Sequence, residues 1–215
     1  MLDDPRTGTS TPAAALWHAV RVRSEVRAEV APGFVVAMPS LLDPNFARTV
    51  VLLVEHGQAG SLGFVVNRPS RLSFEQVSDA LGFERGQGGS DGVPVFTGGP
   101  VAPQSGWILF DPDGVPQADL DDALVVHQGL AVSASRRLLE RIAKTGAPPR
   151  CLLALGYAGW GEGQLDDELR HGSWLPVGLD PRIVFETDPS KRWQRVLSLS
   201  GIDPGRIVSS GGVVS

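Results

Sequence analysis

His56 stands between Glu55 and Gly57, which places an imidazole beside a carboxylate in a glycine-flanked segment. An imidazole titrates near neutral pH and can act as acid or base. One His next to one Glu is a thin basis for catalysis, however, and any chemistry at His56 needs a second acid from elsewhere in the chain. The remaining histidines, His18, His127 and His171, show neither an HExxH pattern nor paired ligand spacing. Neither a metal nor another cofactor is therefore expected. The carboxylate pairs Asp121/Asp122 and Asp166/Asp167 are sequence neighbours, which do not face one another on a helix or strand and read as solvated surface. There is no G-x-S-x-G elbow. The one cysteine, Cys151, cannot form an intrachain disulfide and opens the run Cys151-Leu152-Leu153-Ala154-Leu155, where it reads as a small buried hydrophobe rather than a nucleophile.

Three further segments carry polar or aromatic groups in unusual settings. In Met38–Phe46, Asp43 and Asn45 flank Pro44, the pattern of an Asx turn and also of a polar pocket rim. Thr97-Gly98-Gly99-Pro100 offers successive glycine amides that can form an anion nest. No Lys-Ser/Thr follows, so a tight backbone turn is the plainer reading. Gly156-Tyr157-Ala158-Gly159-Trp160 leaves an apolar run and precedes a helix, a place where ligands meet backbone amides. Its spacing is not GxGxxG, and Glu162 would repel a phosphate. Tyr157 is the only tyrosine, Trp160 shares its segment, and Trp174 lies one helix further on. Such aromatics either line a pocket or plug a core; the expectation adopted is that Gly156–Trp160 lines the main pocket.

The elements that must position these groups follow from periodicity. Aliphatic and β-branched runs predict strands over 34–38, 49–54 and 62–66, the latter two joined as a hairpin through a loop over 55–61. His56 then lies at the loop end. Asn67 lies at the open end near Asp43, Asn45 and Arg48, about 15–20 Å from His56. Ser73 with Gln76 spells a capping box for a helix over 74–81 that stops at Gly82. Residues 84–92 read as a mobile glycine-rich loop. Short strands are expected at 94–97, 106–110, 123–126, 151–155 and 183–185. Helices are expected over 136–144, capped by Ser133 or Ser135, over 163–170, and from Pro189 towards Gly201, with Arg192, Trp193, Val196 and Leu197 in helical spacing. The fold class is α/β (α+β): a mixed, largely antiparallel sheet with helices packed on it, in a single compact domain over 31–215. Residues 1–30 form an N-terminal extension, disordered to about residue 12, and a glycine- and serine-rich tail begins at Gly205.

The chain has 215 residues, a formal charge of −5 and a pI near 5.3, so no whole-chain basic field exists for nucleic acid. Arg136-Arg137 and Arg192–Arg195 are short clusters without a helix-turn-helix pattern, and specific DNA binding is not expected. No apolar run approaches the roughly 20 residues that span a bilayer, so no membrane partner is expected. Met1-Leu2-Asp3-Asp4 lacks the cationic start of an export signal, which makes the cytoplasm the expected location.

The string Ala37-Met38-Pro39-Ser40-Leu41-Leu42-Asp43-Pro44-Asn45-Phe46 resembles the opening signature of the AlgH (YqgE-like) family. The resemblance continues through Val54-Glu55-His56, Gly60-Ser61-Leu62-Gly63, Asn67-Arg68-Pro69, Gly98-Gly99-Pro100, Gly156–Trp160, Gln164-Leu165 and Trp174, and covers about residues 32–200. Ser61 stands where the family usually has Ala. The resemblance implies a bacterial α/β protein with a proposed regulatory role and no settled reaction, so no catalytic residue carries over. The site expected is a ligand or partner site built from Asp43, Asn45, His56, Asn67, Gly98, Gly99, Tyr157, Trp160 and Trp174. It would serve a regulatory or binding protein that holds a small molecule or a protein. The alternative is an enzyme using His56 and a nearby carboxylate.

Overall fold

The computed structural model describes residues 30–84, 86 and 92–202. The N-terminal extension to residue 29, most of the 84–92 loop and the tail from Gly205 lie outside them. Nine strands form one mixed sheet: β1 Gly33–Ala37, β2 Val50–Gly57, β3 Gly60–Val65, β4 Val95–Thr97, β5 Val101–Phe110, β6 Ala123–His127, β7 Leu130–Ser133, β8 Cys151–Trp160 and β9 Trp174–Gly178. Their order is β6-β7-β5-β8-β3-β2-β1-β9, and β4 adds to β8 as the one parallel pair among the described residues. Among the described residues six helices pack on this sheet: α1 Phe74–Ala80, α2 Gln117–Leu120, α3 Arg136–Thr145, α4 Gln164–Arg170, α5 Pro181–Phe185 and α6 Pro189–Leu199. The single-domain mixed sheet is the expected architecture.

The apolar run of β2 is buried on both faces, as its lack of alternation requires. Val50 and Leu52 join a core that α5 and α6 cover through Ile183, Val184, Trp193, Val196 and Leu197. Val51 and Leu53 point the other way, into a core closed by Leu165 of α4, Trp160 and Trp174. A third cluster lies under α1 and α3, around Phe74, Leu138 and Ile142. Ser73 caps α1 as a true capping box: its hydroxyl accepts from the Gln76 amide at 3.3 Å, and the Gln76 side chain accepts from the Ser73 amide at 2.9 Å. Of the two serines offered for α3, Ser135 is the cap.

Four expectations are corrected. Ile183-Val184-Phe185 belongs to α5 and not to a strand. Pro181 pre-sets helical φ at its first turn, and the Asp180 carboxylate accepts from the Arg182 amide at 3.0 Å, so local capping outweighs a short β-branched run. The segment 156–160 is no turn, because β8 continues to Trp160 and exchanges β4 and β5 for β3 as neighbours. Gly156, at φ +72°, marks the change, and a Cβ there would meet the Gly99 carbonyl oxygen at 2.6 Å. The β2–β3 connection is only Gln58-Ala59, which leaves His56 paired in the ladder opposite Ser61. β7 and β9 were not anticipated. β7 is four residues long, and β9 contains Pro176, which a strand at the edge of a sheet tolerates.

Candidate functional site

The nine residues expected to form one site fall into four places. Three of them, His56, Trp160 and Trp174, meet under α4. Ser61 is the direct ladder partner of both His56 and Trp160, so the three side chains form a row on one sheet face. α4 leans two acids over this row. His56 Nδ1 lies 2.8 Å from the Ser61 hydroxyl, and its Nε2 lies 3.5 Å from a carboxylate oxygen of Asp166. Glu168, two residues on, accepts with a single oxygen from both indoles, Trp174 at 2.7 Å and Trp160 at 3.0 Å. Its other oxygen accepts from Gln164 at 2.8 Å. Phe46 closes the cluster, stacked on Trp160 at 6.0 Å and edge-on to Trp174 at 5.5 Å. The group is closed: Trp160, Trp174 and Ser61 are buried, and the His56 side chain is 3% exposed.

Asn67 sits at the opposite end of the hairpin. Its Oδ1 accepts from the Val50 amide at 2.8 Å, and its Nδ2 donates to the Arg48 carbonyl at 2.9 Å. The expected separation from His56 therefore holds. Asp43 and Asn45 lie close by in an Asx turn, the Asn45 amide donating to Asp43 at 2.7 Å. Asp43 also acts electrostatically on Arg68, whose guanidinium burial holds below its ordinary pKa. Gly98 and Gly99 form a backbone crossing and not an open nest. The Gly98 amide donates to Leu155 and its carbonyl accepts from Val65. Tyr157 leaves on the sheet face opposite Trp160 and packs edge-on to Trp107 at 6.1 Å. Pairing Tyr157 with Trp160 in one pocket is thus corrected: as strand residues three apart they point to opposite faces.

A cavity lies elsewhere in the described residues. With a volume of about 320 Å³, it opens between Pro94 and Phe96 of the β4 segment, the start of β8, Val184 and Phe185 of α5, and Arg192 of α6. Gly156–Trp160 takes no part in it. Cys151 lines the cavity, and burial pushes its thiol up to about 12, so it stays protonated and unreactive. Arg192 is 4% exposed. Its Nε donates to the Thr187 carbonyl at 2.9 Å, its Nη1 to the Val66 carbonyl, and its guanidinium lies over the Phe96 ring at 5.2 Å. No described carboxylate pairs with it. Burial pulls its pKa down to about 10, against a partial opposing pull from Asp188. Sequence reasoning missed Arg192 as a site residue, although the signal was present: an arginine in register with Trp193, Val196 and Leu197 sits on the apolar stripe of its helix.

No helix of the described residues is long and apolar enough to cross a membrane. A family model described as AlgH-like matches residues 34–205. A UPF0301 protein of Methylococcus capsulatus is 41% identical over 179 residues, 83% of this chain and 93% of its own. One from Anaeromyxobacter dehalogenans is 43% identical over 192 residues, 86% of this chain and 95% of its own. The solution structure of the AlgH protein from Pseudomonas aeruginosa is similar with a TM-score of 0.69 and 33% identity, over 89% of this chain and 100% of that one. The chain belongs to the AlgH-like family.

Proposed function

We propose that this AlgH-like chain is a cytoplasmic regulatory protein that works by binding, and that it takes a small ligand into the Arg192 cavity. One observation carries the reading: a buried guanidinium without a carboxylate partner lines a cavity of about 320 Å³. That volume is at the small end of ligand pockets, whose walls are mostly apolar with a few placed polar groups. The unreactive Cys151 supports binding over covalent chemistry. Specific DNA recognition is not part of the proposal. The test is a thermal-stabilisation screen of the full chain against metabolites, since a ligand of the native state raises the melting temperature. A screen in which hits persist after Ala147→Phe, which fills the cavity from its lining, would place binding elsewhere and refute the reading.

A second reading draws on the Ser61–His56–Asp166 line, whose residue types match a hydroxyl nucleophile, its base and an orienting acid. It favours an enzyme using His56 and a nearby carboxylate. The burial of His56 and Ser61 weighs against it, because a substrate carbonyl needs access to the hydroxyl. Covalent labelling of Ser61 by a fluorophosphonate, abolished by His56→Ala, is the result this reading requires.

A further inference from the structure

Resting on the binding reading above, we propose that the ligand of the cavity is a small monocarboxylic acid, its carboxylate docked on Arg192. The argument starts from the donors. The side chain is anchored by one bond from Nε and one from Nη1 to the Thr187 and Val66 carbonyls. Both acceptors are neutral, so the bonds orient the guanidinium without cancelling its charge. Nη2 makes no hydrogen bond to a described residue, and Arg192 is part of the cavity lining. A guanidinium carries more N–H donors than two, and a carboxylate matches its planar geometry.

Arg150, the other cation of the lining, is already held by Asp111 at 3.3 Å and Glu186 at 2.7 Å, so its charge is spoken for. Arg192 has no described carboxylate at ion-pair distance, and Asp188 acts on it from farther off. A monoanion neutralises the guanidinium. A dianion such as phosphate would carry more charge than one guanidinium offsets, beside the Asp111 and Glu186 carboxylates. Of the carbon groups in the lining, Pro94 and Phe185 reach the surface, while Phe96, Leu152 and Val184 are buried behind them. The lowered pKa of Arg192 is consistent with this, since it reports burial of a cation that lacks a full counter-charge.

The experiment uses the full chain and titration calorimetry near neutral pH. The probes are isovalerate and phenylacetate. Their neutral counterparts, 3-methylbutanol and 2-phenylethanol, and inorganic phosphate serve as controls. The acids are expected to bind at least tenfold more tightly than the alcohols or phosphate. Arg192→Met, close in length and uncharged, is expected to lose that tenfold preference, leaving acids and alcohols alike. Ala147→Phe keeps Arg192 and is expected to abolish binding of every probe, which guards against an Arg192 variant that does not fold. Alcohols that match the acids, or phosphate that exceeds them, overturn the carboxylate assignment and leave the cavity as a binding site. Failure of every probe to bind at tens of millimolar overturns the carboxylate assignment, and if the metabolite screen is also empty the binding reading falls with it. Acid binding that survives Ala147→Phe places the site elsewhere and overturns both.

Discussion

Glu168 offers the sharpest test of how the family-typical tryptophans are used. One of its oxygens accepts from the Trp160 and Trp174 indoles at 3.0 and 2.7 Å, and both rings are buried, at 6% and 3% exposure. Glu168→Ala leaves two buried N–H donors with no acceptor at that position. A buried donor left unsatisfied costs ~1–3 kcal/mol, so the pair puts the loss at ~2–6 kcal/mol. Domains of this kind have ~5–15 kcal/mol in total. For a chain of this size each kcal/mol shifts the melting temperature by about 2–4 °C, which gives a fall of roughly 4–24 °C. Glu168→Gln keeps an acceptor oxygen where the carboxylate stood and should lose less than half as much. Urea unfolding followed by tryptophan fluorescence measures both variants, and the same two indoles report directly on their environment. A Glu168→Ala protein within about 0.5 kcal/mol of the parent, the range of an ordinary surface change, would show that water or a rearranged side chain satisfies the indoles. The reading of Glu168 as the clamp of this cluster would then fail.

Three further outcomes follow from the same geometry. Burial raises the Glu55 carboxyl above its ordinary value of 4.5. Its folded-state pKa therefore exceeds the unfolded one, so its contribution is fully present below about 4.5 and is lost as pH rises through the folded value. Glu55→Gln should accordingly raise the melting temperature at neutral pH and leave it unchanged near pH 4; calorimetric scans showing an equal gain at both pH values contradict the assignment. Asn67→Asp removes the donor to the Arg48 carbonyl and sets a carboxylate against it, for an expected loss of ~1–3 kcal/mol in chemical denaturation; an unchanged urea midpoint argues against the bridge. Gly99→Ala should abolish soluble expression or cost more than ~4 kcal/mol, because the added Cβ would lie 2.2 Å from the Tyr157 carbonyl carbon, in strand backbone that cannot yield.

What could be read from the sequence divides along the range of the interactions. Capping and hairpin signals act within a few residues. Ser73 with Gln76, and the runs over 49–54 and 62–66, accordingly appear in the structure where periodicity placed them. The same locality made the hairpin geometry calculable, and Asn67 does bind Arg48 and Val50 far from His56. The failures arise where tertiary pairing decides. Gly156–Trp160 has the composition of a turn, yet it is strand, because β3 supplies ladder partners from about a hundred residues away in sequence. Once it is strand, the alternation of side chains sends Tyr157 and Trp160 to different cores, and a pocket drawn from their nearness in sequence cannot exist.

The two polar groupings beneath the sheet faces differ in one physical respect that decides between them. Around His56, Ser61, Asp166 and Glu168, each group that the structure describes has a partner within the cluster: hydroxyl to imidazole, imidazole to carboxylate, indoles to carboxylate. Such a network stiffens the join between α4 and the sheet, and a ligand entering it would have to break bonds already made. Around Arg192 the balance is reversed. Its charge is carried into the interior, hydrogen-bonds neutral carbonyls, lies over an aromatic face with Asp188 acting on it only from farther off, and fronts an open volume. Burying a cation is costly unless it is paired, and a ligand that brings the missing negative charge recovers part of that cost on arrival. The residues of α4 and β8 thus hold the frame, while the guanidinium on the apolar face of α6 is the group that the proposed ligand would meet.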